Sequence, residues 1–382
     1  MEQLVASRSD AKQTASVPFF GLDRQYARYR ETFLEITDKV LSTGQVLQGE
    51  PVQEFEHALR AITGREHAVA VGSCTDGIAF ALSALGIGAG DEVLITSFSF
   101  LASASPILRV GATPRFVDID PRTFMMDTAA LERCIGKSTK AILAVHLFGQ
   151  SLPMEQIEAV ATRHGLALIE DAAQAMGTRY QGRAAGSMGS ISCLSFDPTK
   201  VIGSFSSAGA VVTDDPDLAR KIVQQRYHGR DPQTREYEAL GYNSQLSSEM
   251  AAMLVFKLSK MGEWESQRAR IAKIYQAGLA DVAQIQLPSL VPGSTHNWHK
   301  FVIRSTRRDA LAAALKASGV QTMVHYPKAI SDTPVFAKYA GVSEVPEARR
   351  AAATALSLPI FAELEKSEAE TVVAKIRECF DQ

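Results

Sequence analysis

The chain has 382 residues, 46% of them hydrophobic and 21% charged, with a formal net charge of -2. Such a composition fills a sizeable core, most naturally in two domains, and its near-neutral balance excludes a partner recognised through bulk charge. No apolar run approaches the ~20 residues of a membrane span. Cys74, Cys134, Cys193 and Cys379 are scattered without a CxxC pair, so neither a disulfide framework nor a zinc site is expected, and a reducing, cytoplasmic location is.

The opening MEQLVASRSDAKQTAS lacks the apolar stretch of a signal peptide and reads as a flexible polar tail over residues 1–16. Residues 23–43 read as a helix, and 50–62 (EPVQEFEHALRAI) repeat the apolar i, i+3, i+4 pattern of a second. Strand-like runs follow at 67–71, 92–96, 113–117, 141–146, 167–170, 191–196 and 208–213, with helical or loop segments between most of them. Runs apolar on both faces and separated by helices predict an α/β fold: a mostly parallel central sheet flanked by helices, with ligands at the carboxyl ends of the strands. From about 247 a single long amphipathic helix is expected to about 279. Shorter strands (HKFVIRS, GVQTMVHY) and helices (RDALAAALKASG, EARRAAATAL, LEKSEAETVVAKIRECF) follow. The division this predicts is a large domain over 17–250 and a smaller C-terminal α/β domain over 251–382.

The strand ends carry the candidate chemistry. The first strand stops at Gly72-Ser73-Cys74-Thr75, just before a helical run, so free amides and the positive helix end form an anion site that the bare Gly72 lets a ligand approach. Taken alone, the same residues read more simply as an ordinary N-cap by Ser73 or Thr75. In LALIEDAAQA (166–175) an apolar strand delivers Glu170 and Asp171 to opposite sides. One carboxylate would face the crevice and need a cationic or hydrogen-bonding partner, for which a protonated pyridine nitrogen would serve; an Asp capping the next helix is the alternative. LSFDPTK (194–200) ends a strand in a turn and one lysine, Lys200, which is either a solvated loop residue or a task-bearing amine. An anion cradle, a carboxylate, the aromatic Phe98 or Phe100 after a further strand, and a lysine are together the contacts that pyridoxal 5'-phosphate requires. A lysine in that setting would have its pKa lowered enough to form a Schiff base and carry a proton.

On these residues the sequence resembles the DegT/DnrJ/EryC1/StrS family of nucleotide-sugar aminotransferases, fold type I pyridoxal-phosphate enzymes. The likeness runs from about Pro18 to Ile360 through PFFGL, VGSCTDGIAFAL, GDEVLITSFSFLAS, VHLFGQ, LIEDAAQAMG, LSFDPTK, RYHGRD, GYNSQLSSEMAA and GVQTMVHYP. The resemblance implies that Lys200 forms the Schiff base with the cofactor and that Asp171 pairs with the pyridine nitrogen. It further implies that Gln174 bonds the ring hydroxyl, Phe100 stacks on the ring, and Ser73, Cys74 and Ser195 hold the phosphate. Asn243 matches a residue that reaches the phosphate of a neighbouring subunit, which implies a homodimer with shared active sites. His325 and Tyr326 match a loop on the sugar side. The implied reaction moves an amino group from L-glutamate to a dTDP- or UDP-linked keto-sugar. The PF-x-x-L opening and the N-S-x-L stretch are more similar to members acting on 3-keto sugars. Arg226 and Arg230 are candidates for a substrate carboxylate, with a surface role the alternative.

Two departures stand beside the likeness. Ser206-Ser207-Ala208-Gly209 replaces the family's G-[DE]-G-G, and Asn243-Ser244-Gln245 replaces N-x-R. They leave open a non-catalytic or drifted member, whereas a related deoxysugar lyase would carry His in place of Lys200. Gly136-Lys137-Ser138 lacks the preceding glycine of a P-loop, and His296 and His299 have no third metal ligand nearby.

Overall fold

The computed structural model describes residues 17–339 and 344–380, so the tail expected over 1–16 lies outside the described residues. Two amphipathic helices lead, α1 (Leu22–Ser42) and α2 (Glu50–Thr63). α2 begins after Gly49, with Pro51 in its first turn where a missing N–H costs nothing. It ends on Gly64 in the left-handed region, φ 74°, and buries Val52, Phe55 and Leu59 on one face.

Strands and helices then alternate as the apolar runs predict: β1 (His67–Val71), α3 (Cys74–Ala84), β2 (Glu92–Thr96), α4 (Leu101–Arg109), β3 (Thr113–Val117), α5 (Thr128–Leu131), β4 (Thr139–Val145), α6 (Met154–His164) and β5 (Ala167–Asp171). A small hairpin of β6 (Arg179–Tyr180) and β7 (Arg183–Ala184) precedes β8 (Ile191–Ser195), β9 (Gly209–Thr213) and α7 (Pro216–Arg226). The seven-stranded sheet has the order β1-β9-β8-β5-β4-β2-β3. Its pairings are parallel from β8 through β3, while β9 runs antiparallel to both β1 and β8. Strands β4 and β8 are buried almost throughout, which is why their sequences read as near-continuous apolar runs.

The long helix expected over 247–279 is two helices, α8 (Ser248–Ser259) and α9 (Met261–Leu279), broken at Lys260. Ala251, Leu254 and Leu258 of α8, with Trp264 from the first turn of α9, join an apolar cluster with Phe55 and Phe196, whereas Ile271, Tyr275 and Leu279 further along α9 join the C-terminal cluster. Helical periodicity continues across the junction and cannot reveal that its two ends serve different cores.

The C-terminal part adds β10 (Phe301–Arg304), α10 (Arg308–Ala317), α11 (Pro346–Thr354), β11 (Ala355–Leu358) and α12 (Lys366–Glu378). EARRAAATAL therefore splits into nearly the whole of α11 and the first two residues of β11, because residues 355–358 pair antiparallel with β10. GVQTMVHY forms no strand of its own among the described residues and makes single bridges from Val320 to Val17 and from Met323 to Ser357. Ile330, Phe336, Ala348 and Ala351 pack into the cluster of the main sheet, which ties this region to the carboxyl ends of the strands. Among the described residues no helix is long and apolar enough to cross a membrane.

Candidate active site

The end of β5 separates two carboxylates, as strand alternation requires. Glu170 points into the protein and is fully buried. It accepts hydrogen bonds from His146 Nε2 at 2.8 Å, the Gly186 amide at 2.9 Å and Ser192 Oγ at 2.8 Å, and from the Met188 amide, with Arg65 3.8 Å away. Every lone pair has protein company, so Glu170 is a structural anchor. Asp171 points the other way, into a cavity of ≈ 530 Å³. Only 2% exposed, it accepts from Ser103 Oγ at 2.6 Å and from the Ala173 amide at 3.1 Å. No cation among the described residues pairs with it, and a buried carboxylate lacking one is a standing demand for a positive partner.

Lys200 lines the same cavity. The Asp197-Pro198 turn presents it: the Lys200 amide donates to Asp197 O at 2.8 Å, and Asp197 Oδ1 takes the Thr199 amide at 3.0 Å. Its amine makes no hydrogen bond or ion pair among the described residues. Desolvation lowers its pKa, against the opposing pull of Cys74, Asp171 and Asp197.

The loop after β1 supplies the third wall. Ser73, Cys74 and Thr75 line the cavity at the start of α3, and Ser73 Oγ accepts from the Asp76 amide at 3.0 Å. The ordinary N-cap is thus realised, and the cavity lies against the same helix end. Gly72 departs from expectation. Its N–H is spent on the Ser244 carbonyl and hydroxyl, both at 3.0 Å, and it does not line the cavity, so its bareness admits the 243–245 segment and not a ligand. The glycine that shapes the cradle is Gly209, where a Cβ would fall 2.4 Å from Cys74 N and Ser73 C. Ser195 borders the cavity below, its Oγ accepting from the Asp197 amide at 3.4 Å.

Phe100 lines the cavity and is 55% exposed, whereas Phe98 is fully buried and belongs to the core. Tyr326 stands 6.1 Å from Phe100, ring to ring, and accepts from Gln174 Nε2 at 3.2 Å. Gln174 Oε1 is fixed by the Phe148 amide at 2.9 Å, which sets the amide's orientation. His325 also lines the cavity, contacts Ser357 Oγ through Nδ1 at 2.8 Å, and has its pKa lowered by burial to about 3, so it is neutral.

Besides Gly72, two expected residues lie outside the cavity. Arg226 is engaged by Glu56 at 2.7 Å and by the Ala70 carbonyl at 2.8 Å and does not line the cavity. Asn243 is exposed outside it, its Oδ1 accepting from Gln245 Nε2 at 3.1 Å. Sequence reasoning missed Ser103, a serine of the ordinary-looking helix α4 that only folding brings to Asp171. It also passed over Lys300, and weighed His299 only as a metal ligand; both line the cavity.

Residues 28–377 match the model of the DegT/DnrJ/EryC1/StrS aminotransferase family. The chain belongs to that family. This aminotransferase is 41% identical to a pleiotropic regulatory protein of Geobacillus stearothermophilus, over 96% of this chain and 99% of that one. It is 38% identical to a dTDP-3-amino-3,4,6-trideoxy-alpha-D-glucose transaminase of Streptomyces venezuelae, over 97% and 98%. Among solved structures, S. venezuelae DesV in complex with a ketimine intermediate superposes with a TM-score of 0.93 at 37% identity, covering 96% of this aminotransferase and 99% of DesV. NtdA of Bacillus subtilis with bound cofactor PMP gives 0.89 at 31% identity, covering 98% and 87%. The sheet and its helical layers are the fold type I architecture.

Proposed function

We propose that this aminotransferase moves an amino group from L-glutamate to a nucleotide-linked (dTDP- or UDP-) 3-keto sugar, using pyridoxal 5'-phosphate in the cavity between Asp171 and Lys200. The observation that carries the reading is the pair itself: a buried carboxylate with no cation, and an unpartnered, desolvated amine, on two strand ends of one cavity. Those residues fit the cofactor. Asp171 would face the ring nitrogen, Gln174 the ring hydroxyl and Phe100 a ring face. Ser73, Cys74 and Ser195 would surround the phosphate at the α3 end, over the cradle that Gly209 permits. Bound there, pyridoxal 5'-phosphate supplies an electrophilic aldehyde and an electron-accepting ring.

The chain's own work is positioning and proton movement. Ser103 and the Ala173 amide fix the Asp171 carboxylate so that it favours positive charge opposite it. Lys200 is the amine that would hold the cofactor covalently; with its pKa lowered, its Nζ would take the proton from the donor Cα and deliver it along the same face to the carbon that had carried the aldehyde. Tyr326, tied to Gln174, closes the cavity toward the proposed sugar side beside the neutral His325. The S. venezuelae relative named for a 3-amino sugar supports the 3-keto assignment.

The homodimer belongs to the same proposal. Leu240 and Tyr237 are exposed by 82% and 67% on the segment that carries Asn243, and Phe100 opens to the surface. A second copy covering this face would put Asn243 within reach of that copy's cofactor phosphate.

The test is spectroscopic and chemical. The purified holoprotein should lose its visible band on adding glutamate, become irreversibly modified at Lys200 by borohydride, and convert one member of a panel of dTDP- and UDP-keto-sugars to a product with the mass of an amino sugar. Near-normal turnover by Lys200→Ala would refute the assignment.

A further inference from the structure

The amino donor brings carboxylates into the cavity, and a carboxylate removed from water requires a cation or several hydrogen-bond donors. Among the described residues the cavity is lined by four basic side chains: Lys200, Lys300, His299 and His325. Burial keeps both histidines neutral, and Lys200 is taken by the chemistry. Arg226, bound to Glu56, and Arg230, whose Nε donates to the Arg235 carbonyl at 3.2 Å, lie outside the cavity. Lys300 remains.

Its placement is unusual for a lysine. It directly precedes β10, is 7% exposed, and its ammonium sits 4.8 Å from the centre of the Phe20 ring and 5.1 Å from that of Phe19. It makes no ion pair or side-chain hydrogen bond among the described residues. Lysine is seldom buried without an acidic partner, and two aromatic faces replace only part of its hydration. The same side chain also borders a smaller cavity of ≈ 180 Å³ that Lys200 lines as well.

We propose that Lys300 receives a carboxylate of the amino donor and so sets the enzyme's preference for an acidic amino acid. The proposal rests on the aminotransferase reading above. The groups facing Lys300 are Lys200 and Asp197 after β8, Arg268 of α9, its neighbour His299, His325 after α10, and Glu363 across the smaller cavity. Burial, Arg268 and Lys200 lower its pKa to about 7, with Asp197 opposing. The ammonium form binds the anion, so donor affinity is greatest below that value and declines as pH rises through it.

Calorimetry on the holoprotein with succinate, an unreactive dicarboxylate, tests this, with dTDP as the competing anion. Lys300→Met keeps the aliphatic stem and should weaken succinate at least tenfold while leaving dTDP within twofold. Lys300→Arg should bind succinate and lose the decline between pH 6.5 and 8.5. Wild-type succinate affinity in the Met variant, or dTDP falling in step with succinate, overturns the proposal. Should the Met variant not fold, the Arg variant decides: a persisting pH decline overturns it, and its disappearance supports it. Failure of the parent reading looks different, since wild-type protein would then show no glutamate half-reaction at all. A wild-type half-reaction with unchanged glutamate saturation in Lys300→Met would sink only the role of Lys300.

Discussion

Ser103 and Asp171 meet through a 2.6 Å hydrogen bond across the carboxyl ends of the sheet, one from helix α4 and the other from β5. The bond is buried, and among the described residues its acceptor is a carboxylate with a single backbone amide as its other hydrogen-bond donor. A hydrogen bond to a charged group contributes about 1.5–3 kcal/mol. Ser103→Ala should therefore lower kcat roughly 10- to 100-fold while far-UV circular dichroism stays unchanged. Wild-type turnover in that variant would show that Asp171 is positioned without it.

Glu170 is the structural counterpart, one residue earlier and on the other face. Glu170→Ala leaves the Gly186 and Met188 amides, Ser192 and His146 without their shared acceptor, while Arg65 keeps its ion pair with Asp214. Breaking such a buried set costs about 3–5 kcal/mol. Urea denaturation should register the loss as a lower midpoint; a midpoint equal to wild type would contradict the anchoring role.

Gly209 permits the close backbone approach to the Ser73–Cys74 turn that is proposed to hold the cofactor phosphate. In Gly209→Ala the new methyl would lie 2.4 Å from Cys74 N, so the turn or β9 must shift. Coenzyme titrated into the apo-protein should bind at least tenfold more weakly, followed by fluorescence quenching. Undiminished affinity would remove the Ser73–Cys74 turn from the phosphate site.

Lys257, fully buried on α8, holds the loop that follows Lys200. Its Nζ donates to the Gly203 carbonyl at 2.5 Å and lies 4.1 Å from the Phe205 ring centre. Burial lowers its pKa to about 8 from the usual 10.5. Between those values the unfolded chain holds a proton that the native chain has released, so Lys257 makes stability rise with pH across that window. The wild-type Tm should accordingly gain on that of Lys257→Met between pH 8 and pH 10, measured by scanning calorimetry; a constant gap would place the proton elsewhere.

The elements of the large sheet were legible because each is a local pattern. Buried parallel strands read as apolar runs, and Gly64 after α2 or Ser73 before α3 punctuate helices by backbone chemistry that needs no distant partner. The alternation of side chains at the end of β5 likewise separated Glu170 from Asp171, and the turn Asp197-Pro198 presented Lys200. The sequence by itself therefore determined the α/β order, the family likeness and the amine and carboxylate of the candidate site, since periodicity and turn chemistry act over a few residues. Tertiary structure alone decided what those groups touch. Ser103 reaches Asp171 across 68 positions of chain, Gly72 turns its amide to Ser244, and Arg226 closes on Glu56. It also decided that α8 and α9 part at Lys260 and that Lys300 enters the cavity wall. These contacts depend on which surfaces pack together, and packing is set by the summed burial of distant segments, which no short stretch of residues encodes.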